Sequence, residues 1–124
     1  MFGNESGPVV RVVVLKTDGT ITETPVDMNP STRPMERVLG GAITLNGQYL
    51  DDLVVIVIRQ EASTRNQHVL PPPFHQDRIY GDICLVRMDE DAEPRDYTKR
   101  EYLELLQGHR VTRNSVYRVR SHSI

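Results

Sequence analysis

Apolar residues occur along this chain in short runs that predict the strands of a sheet. Residues 9–15 are almost continuously apolar and β-branched, which is typical of a strand covered on both faces. Residues 21–26 alternate, and Asp18-Gly19 lies between the two runs. Because glycine tolerates the positive φ of a type I′ turn, this order predicts a hairpin. Pro25 has no N–H to donate, so its strand is expected to lie at an edge of the sheet or to end there.

Later segments extend the predicted sheet. Residues 53–58 form the most apolar run and predict its central strand. Asn46-Gly47 separates two short β-rich runs before that strand and predicts a second hairpin. Residues 79–88 predict a further strand, in which Gly81 is a candidate bulge, and residues 116–120 predict the last strand.

A short helix is predicted at residues 33–39. Met35, Val38 and Leu39 recur at i, i+3 and i+4, which gives the segment one apolar face. Gly40-Gly41 follows directly, and glycine in this position is typical of a helix C-terminus.

A longer helix is predicted at residues 98–107. Thr98 and Glu101 have the spacing of a capping box, in which each side chain accepts a hydrogen bond from the other residue's backbone N–H. Gly108 is the expected stop. The apolar stripe expected to be buried consists of Tyr102, Leu103, Leu105 and Leu106.

These elements predict an α+β fold, with a mainly antiparallel sheet of about five to seven strands, one short helix and one longer helix. The 124 residues suit a single domain, expected at 9–120 between a flexible leader at 1–8 and a tail at 121–124. No apolar run reaches the roughly 20 residues of a membrane-spanning helix, and the leader has no features of a signal peptide. We therefore expect an intracellular protein without a membrane partner.

Residues 60–78 have no convincing periodicity, and a loop this long in a small domain is typically functional or disordered. Its proline run favours a polyproline II conformation, and extended polyproline segments dock into aromatic grooves of other proteins. The candidate protein-binding residues are Pro71, Pro72, Pro73 and Phe74.

Candidate chemistry is sparse. His75 and Asp77 lie two residues apart, with Asp82 near in sequence, and such a pair could hold a metal ion or transfer a proton. We expect both to lie exposed on the loop, with no metal bound. Cys84, the single cysteine, lies in an apolar strand and is expected to be a buried core residue. We therefore predict no catalytic residue, no metal ligand and no cofactor.

Charge is unevenly distributed although the whole chain has a formal net charge of −2. Residues 77–104 carry nine Asp and Glu against five Lys and Arg, whereas residues 105–124 carry four arginines and no acid. Arginine forks match phosphate oxygens, so these arginines are candidates for binding nucleic acid, although they could instead pair with the acidic segment before them. The candidates are Arg110, Arg113, Arg118 and Arg120.

Three stretches resemble an uncharacterised family of small domains found in phages and large DNA viruses. They are the hairpin with Asp18-Gly19, residues 35–43, and Leu70-Pro71 leading to residues 79–86. The resemblance covers about residues 9–106. It implies a strand pair, a short helix that ends in Gly-Gly and a later Gly-Asp-hydrophobic strand, and it carries no catalytic residues over.

The sequence thus favours a non-enzymatic interaction or structural module, in line with a viral or phage accessory protein of the host cytoplasm or the virion. Its expected partners are other proteins or a second copy of itself, because a small domain with an edge strand can pair with its own copy. A nucleic-acid-binding protein is the alternative reading. A metal-dependent or His/Asp enzyme is the third.

Overall fold

In the computed structural model, which describes residues 7–108, the chain forms six strands and two α-helices. The strands are β1 (Val9–Leu15), β2 (Ile21–Asp27), β3 (Ile43–Tyr49), β4 (Val54–Arg59), β5 (Ile83–Met88) and β6 (Pro94–Arg95). A 3₁₀ turn at Pro30–Thr32 precedes α1 (Pro34–Leu39), and α2 runs from 99 to 108, the last described residue.

The strands form one sheet in the order β2-β1-β5-β4-β3, and every neighbouring pair is antiparallel. One side of β5 is shared between two partners, because β1 pairs with its residues 83–85 and β6 pairs with residues 87–88. The predicted fold class, an antiparallel sheet with one short and one longer helix in a single domain, is confirmed.

The predicted hairpin connects β1 and β2, with Gly19 at φ 96° in its turn. The expected type I′ geometry is wrong, because it requires a positive φ at both central residues and Asp18 does not have one. Two backbone hydrogen bonds show which residues direct their backbone groups toward the partner strand. The Lys16 N–H donates to the Thr20 carbonyl, and the Met28 N–H donates to the Pro8 carbonyl. Since inward and outward groups alternate along a strand, the backbone of Pro25 faces away from β1. β2 is therefore the predicted edge strand, and its proline occupies a position where no partner requires an N–H.

Alternate residues of the sheet enter two cores, one on each face. Val12 and Val14 of β1 belong to one core, and Val13 and Leu15 belong to the other. On the first face α1 contributes Met35 and Leu39 to a core with Val10, Val12, Val14, Val26, Val57, Cys84 and Val86. On the second face, α2 and the loop after β4 cover a core of Val13, Leu15, Tyr49, Val54, Ile56, Leu70, Ile79, Ile83, Leu85, Tyr97 and Tyr102.

The start of α2 is fixed by the predicted capping box. The Thr98 N–H donates to Oε1 of Glu101 at 3.0 Å, and the Glu101 N–H donates to Oγ1 of Thr98 at 3.1 Å. Tyr102 is fully buried as predicted. Leu103 is 43% exposed, so the prediction that it belongs to the buried stripe is wrong. Successive helical residues are about 100° apart, and the residue after Tyr102 therefore points away from the sheet.

The hairpin expected at Asn46-Gly47 is also wrong. β3 continues through both residues, with a bulge between Leu45 and Gly47, and the chain reverses only after Tyr49. The reason is a close contact from outside the strand: a Cβ on Gly47 would lie 2.4 Å from the Phe74 ring. The glycine admits an aromatic side chain and does not make a turn.

Two strand boundaries differ from the prediction. Gly81, at φ 82°, separates Ile79 from β5, so the strand expected from residue 79 begins at residue 83. The run at 53–58 forms β4 and is interior, but β5 occupies the centre of the sheet order. Among residues 7–108, no helix has the length and hydropathy needed to cross a bilayer.

Candidate functional site

The sheet ends at β3, whose outer side is the candidate site. The Gln60 N–H donates to the Ala42 carbonyl at 2.8 Å, which shows which residues of β3 direct their backbone groups toward β4. By alternation, the backbone groups of Ile43 and Leu45 point away from β4, and beyond the bulge those of Gln48 do so. Within the described part of the chain, β3 has a strand partner on one side only.

The outer side of β3 carries a bulge but no charged residue and no proline. Residues 42–50 contain no charged residue and no proline, the two residue classes that commonly blunt sheet edges. Leu45 is 65% exposed on the strand, and Leu50 directly after it is 74% exposed. We call this outer side, with the outward residues Ile43, Leu45 and Gln48, the β3 edge.

The loop after β4 holds the β3 edge in shape. The rings of Phe74 and Tyr49 meet edge to face with centroids 5.2 Å apart, and the Tyr49 hydroxyl donates to the Pro71 carbonyl at 2.7 Å. The Asn46 side-chain amide donates to the Asp77 carboxylate at 2.9 Å. These contacts anchor the bulged strand from one face, and none of them uses the outward backbone groups of Ile43, Leu45 or Gln48.

The predicted protein-binding run is largely part of the fold. Pro71 is buried, Pro72 and Phe74 are partly buried, and Pro73 is exposed. The Phe74 N–H donates to the Pro71 carbonyl at 3.2 Å, so the run turns, and the expected polyproline II conformation is wrong. Its hydrophobic members pack on the second core, which leaves Pro72 and Pro73 at the surface beside β3.

The structure locates the other candidate chemical groups without bringing a catalytic set together. His75 and Asp77 are exposed as expected, and Asp77 is engaged with Asn46. Cys84 is fully buried with its Sγ 3.7 Å from Sδ of Met35, and burial raises the pKa of its thiol to about 12. Among residues 7–108, no group of three or more His, Cys, Asp or Glu is positioned to hold a metal ion.

The arginines singled out for nucleic-acid binding cannot be placed on this surface. Arg110, Arg113, Arg118 and Arg120 lie outside the described residues. The predicted strand at 116–120, the tail at 121–124 and residues 1–6 of the predicted leader also lie outside them.

Sequence reasoning missed the β3 edge because it divided β3 at Asn46-Gly47. A usable signal was present, since residues 42–50 are the longest uncharged part of the predicted sheet before the core strand. Interpreting them as one continuous strand would have indicated an edge without charged residues or proline.

Comparison with known proteins places the chain in a family without assigning an activity. The model of a family of unknown function, DUF5880, matches residues 13–105, well over half of the chain. Searches of curated proteins and of solved structures found no match. The matched segment overlaps the region in which the sequence resembled an uncharacterised family. Membership of an uncharacterised family is confirmed, and the match does not bear on an origin in phages or viruses. The matched segment includes β2 to β6 in full and the last three residues of β1. The chain therefore belongs to this family of unknown function.

Proposed function

We propose that the protein is a non-enzymatic interaction module that pairs with a second copy of itself through the β3 edge. The single observation that carries this proposal is the uncharged outer side of β3, which has no strand partner among residues 7–108 and exposes Leu45. Outward N–H and C=O groups form a ready template for another strand, and strand addition supplies backbone hydrogen bonds without any new secondary structure.

The absence of charge favours a second copy as the occupant. A two-fold interface brings the same surface patch of both subunits together, so any charge near its centre would face its own kind. Residues 42–50 present no such charge, and two copies of β3 can approach antiparallel without like-charge repulsion. Burial of Leu45 in both copies adds a hydrophobic contribution of about 1.5–3 kcal/mol for each fully covered leucine.

The biological setting remains part of the proposal. We infer an accessory or structural role in a phage or virus, in the host cytoplasm or in the virion, from the motif resemblance described above. The nucleic-acid alternative rests on the four arginines beyond residue 108 and on the excess positive charge of that segment. No observation on residues 7–108 favours it over self-pairing.

Sedimentation equilibrium of the full chain tests the proposal. The wild-type protein should change from monomer to dimer between about 1 µM and about 1 mM, because association follows mass action. Leu45→Lys introduces an edge charge of the kind that natural sheets use against pairing, and it should keep the protein monomeric over that range.

Leu103→Lys is the matched control, since it also replaces an exposed leucine by lysine but lies on α2. It should leave the association unchanged. A wild-type protein that stays monomeric at the highest concentration, or an equal loss of association in both variants, contradicts the proposal.

A further inference from the structure

An open polar cleft lies at the end of the sheet where β1 and β4 finish and β5 begins. Its volume is about 740 Å³, and it lies between the loop that follows β4 and the segment before β5. The lining residues that matter for its chemistry are Thr17, Arg59, Glu61, Ser63, Thr64 and Asp82.

Arg59 is the unusual member of this set. Its Nε is buried and has no hydrogen-bond partner among residues 7–108, and its guanidinium forms no ion pair there. The guanidinium lies against Gly41, where a Cβ would be 3.1 Å from Nη2. A partly buried guanidinium without a partner is costly unless another group satisfies its donors.

Asp82, one of the two acidic residues of the lining, is already engaged. Oδ1 of Asp82 accepts a hydrogen bond from the Thr17 N–H at 3.0 Å, and Oδ2 lies 3.7 Å from Nζ of Lys16. Glu61, the other carboxylate of the lining, is exposed and makes no ion pair with Arg59. Arg59 therefore forms no ion pair with either carboxylate of the lining.

The cleft has a fixed shape, because its loop is tied to the strand region beneath it. The Thr64 carbonyl accepts from the Gly81 N–H at 2.7 Å. The buried Asn66 side-chain amide donates to the carbonyls of Leu15 and Gly81, each at 2.9 Å. A loop held in this way loses little conformational entropy when a ligand binds.

Free hydroxyl groups complete the donor set. The hydroxyls of Ser63 and Thr64 make no hydrogen bond within the described part of the chain, and both residues are exposed on the lining. Together with Arg59 they supply donors from the end of β4 and from the loop after it. Several donors from separate positions suit a tetrahedral oxyanion, which offers acceptor oxygens in more directions than a planar carboxylate does.

We propose that this cleft binds a phosphate group, with the Arg59 guanidinium as its charged donor and the Ser63 and Thr64 hydroxyls as neutral donors. The volume leaves room for a small phosphorylated molecule attached to that group. This function is separate from the pairing of β3 edges, since none of its three donors belongs to the outward side of β3.

A titration followed by two-dimensional NMR tests the site in the full chain. Inorganic phosphate, added at constant ionic strength, should cause saturable shifts in the backbone amides of Ser63, Thr64 and Gly81. Arg59→Ala should weaken binding about tenfold or more, because a hydrogen bond to a charged group is lost. Arg78→Ala removes an exposed arginine outside the cleft and should leave the affinity unchanged.

A double variant, Ser63→Ala with Thr64→Ala, provides a second test if Arg59→Ala does not fold. It removes only exposed hydroxyls and should weaken phosphate binding at least severalfold. Unsaturable shifts in the wild-type protein, an affinity that neither cleft variant changes, or equal losses in Arg59→Ala and Arg78→Ala overturn the proposal. Acetate that binds as tightly as phosphate overturns the assignment to a tetrahedral anion.

Discussion

Residue 25 of β2 and residue 45 of β3 hold equivalent positions at opposite edges of the sheet. Each directs its backbone groups away from the one strand that pairs with it among residues 7–108. At position 25 the residue is proline, which cannot donate a ladder hydrogen bond. At position 45 it is leucine, with a complete set of backbone groups and a side chain that is 65% exposed.

The residues around the two edges also differ, because charged side chains lie on β2 and none lies on β3. On β2, Glu23 pairs with Arg11, and the Asp27 carboxylate accepts from the Gly7 N–H, which fastens the chain before β1 to the end of β2. On β3 no charged residue occurs from 42 to 50. The β2 edge thus carries charged residues and a proline, whereas the β3 edge carries neither and is interrupted by its bulge, so pairing is expected at β3 in preference to β2.

The largest effect on stability is expected from a substitution in β4, the strand that joins the β3 edge to the core. Ile56 of β4 is fully buried opposite Gly47 of β3. Ile56→Asp would place an unpaired carboxylate in the core at a cost of at least about 4 kcal/mol, and we expect it to abolish folding. Arg65→Ala changes an exposed side chain and should alter the free energy of unfolding by less than about 0.5 kcal/mol. Urea melts that give small effects at both sites would refute the assignment of β4 to the core.

A second, smaller effect tests what shapes the β3 edge. Gly47→Ala puts a methyl group within 2.4 Å of the Phe74 ring, and the displacement should destabilise the fold by about 1–3 kcal/mol. Replacing Phe74 by leucine in the same chain should recover part of that loss, because the two sites share one contact. If chemical denaturation shows that the two substitutions change the free energy of unfolding additively, the Phe74 ring does not shape the bulge.

The closed edge can be probed through pH, because Glu23 of β2 is bonded to the start of α2. The Lys99 N–H donates to its carboxylate, Arg11 pairs with it, and together they hold its pKa below the ordinary 4.5. A folded pKa below the unfolded one gives stability that is present above about pH 4.5 and lost as the pH falls through the folded value. The melting temperature of the wild-type protein should therefore fall as the pH is lowered from about 5 to about 3. In Glu23→Gln this fall should be smaller, because the substituted side chain does not titrate.

The control for that experiment is Glu90→Gln, which changes an exposed carboxylate in the turn after β5. It should keep the wild-type dependence of the melting temperature on pH. The account of Glu23 fails if both variants follow the wild-type curve.

The smallest effect on stability, and the most informative for the comparison, is expected from Pro25→Thr. Threonine fits a strand and restores an outward N–H, so the free energy of unfolding should change by less than about 1 kcal/mol. The variant gains a second edge that can pair, and open-ended association beyond a dimer should follow. If light scattering shows no species larger than in the wild type, the proline is not what closes β2.

Local rules predicted most of the fold because most signals acted over a few residues. The position of the Asp18-Gly19 turn, the capping box of Thr98 and Glu101, and the glycine after α1 each depend on neighbours in sequence, and each was confirmed. Gly40 has φ 85°, and its N–H donates to the Glu36 carbonyl, as a helix C-terminus requires.

The errors arose where a distant residue decided the outcome. Gly47 is a bulge and not a turn because Phe74, 27 positions later, occupies the space beside it. The proline run turns because Tyr49 and the second core hold Pro71 and Phe74. The cleft depends on Arg59 lying against Gly41 and on Asn66 bonding to Gly81, pairings that no local pattern contains. The uncharged run of the β3 edge was therefore visible in the sequence, whereas its bulge and the cleft could not be assembled from local patterns.

Amide hydrogen exchange, measured residue by residue in dilute and in concentrated protein, tests the central claim most directly. Outward amides of an unpaired edge exchange readily, and pairing protects them. The account predicts that Ile43, Leu45 and Gln48 gain protection as concentration rises, while the outward amides of Glu23 and Asp27 on β2 do not. Equal protection at both edges, or none at β3 in concentrated protein, would contradict it.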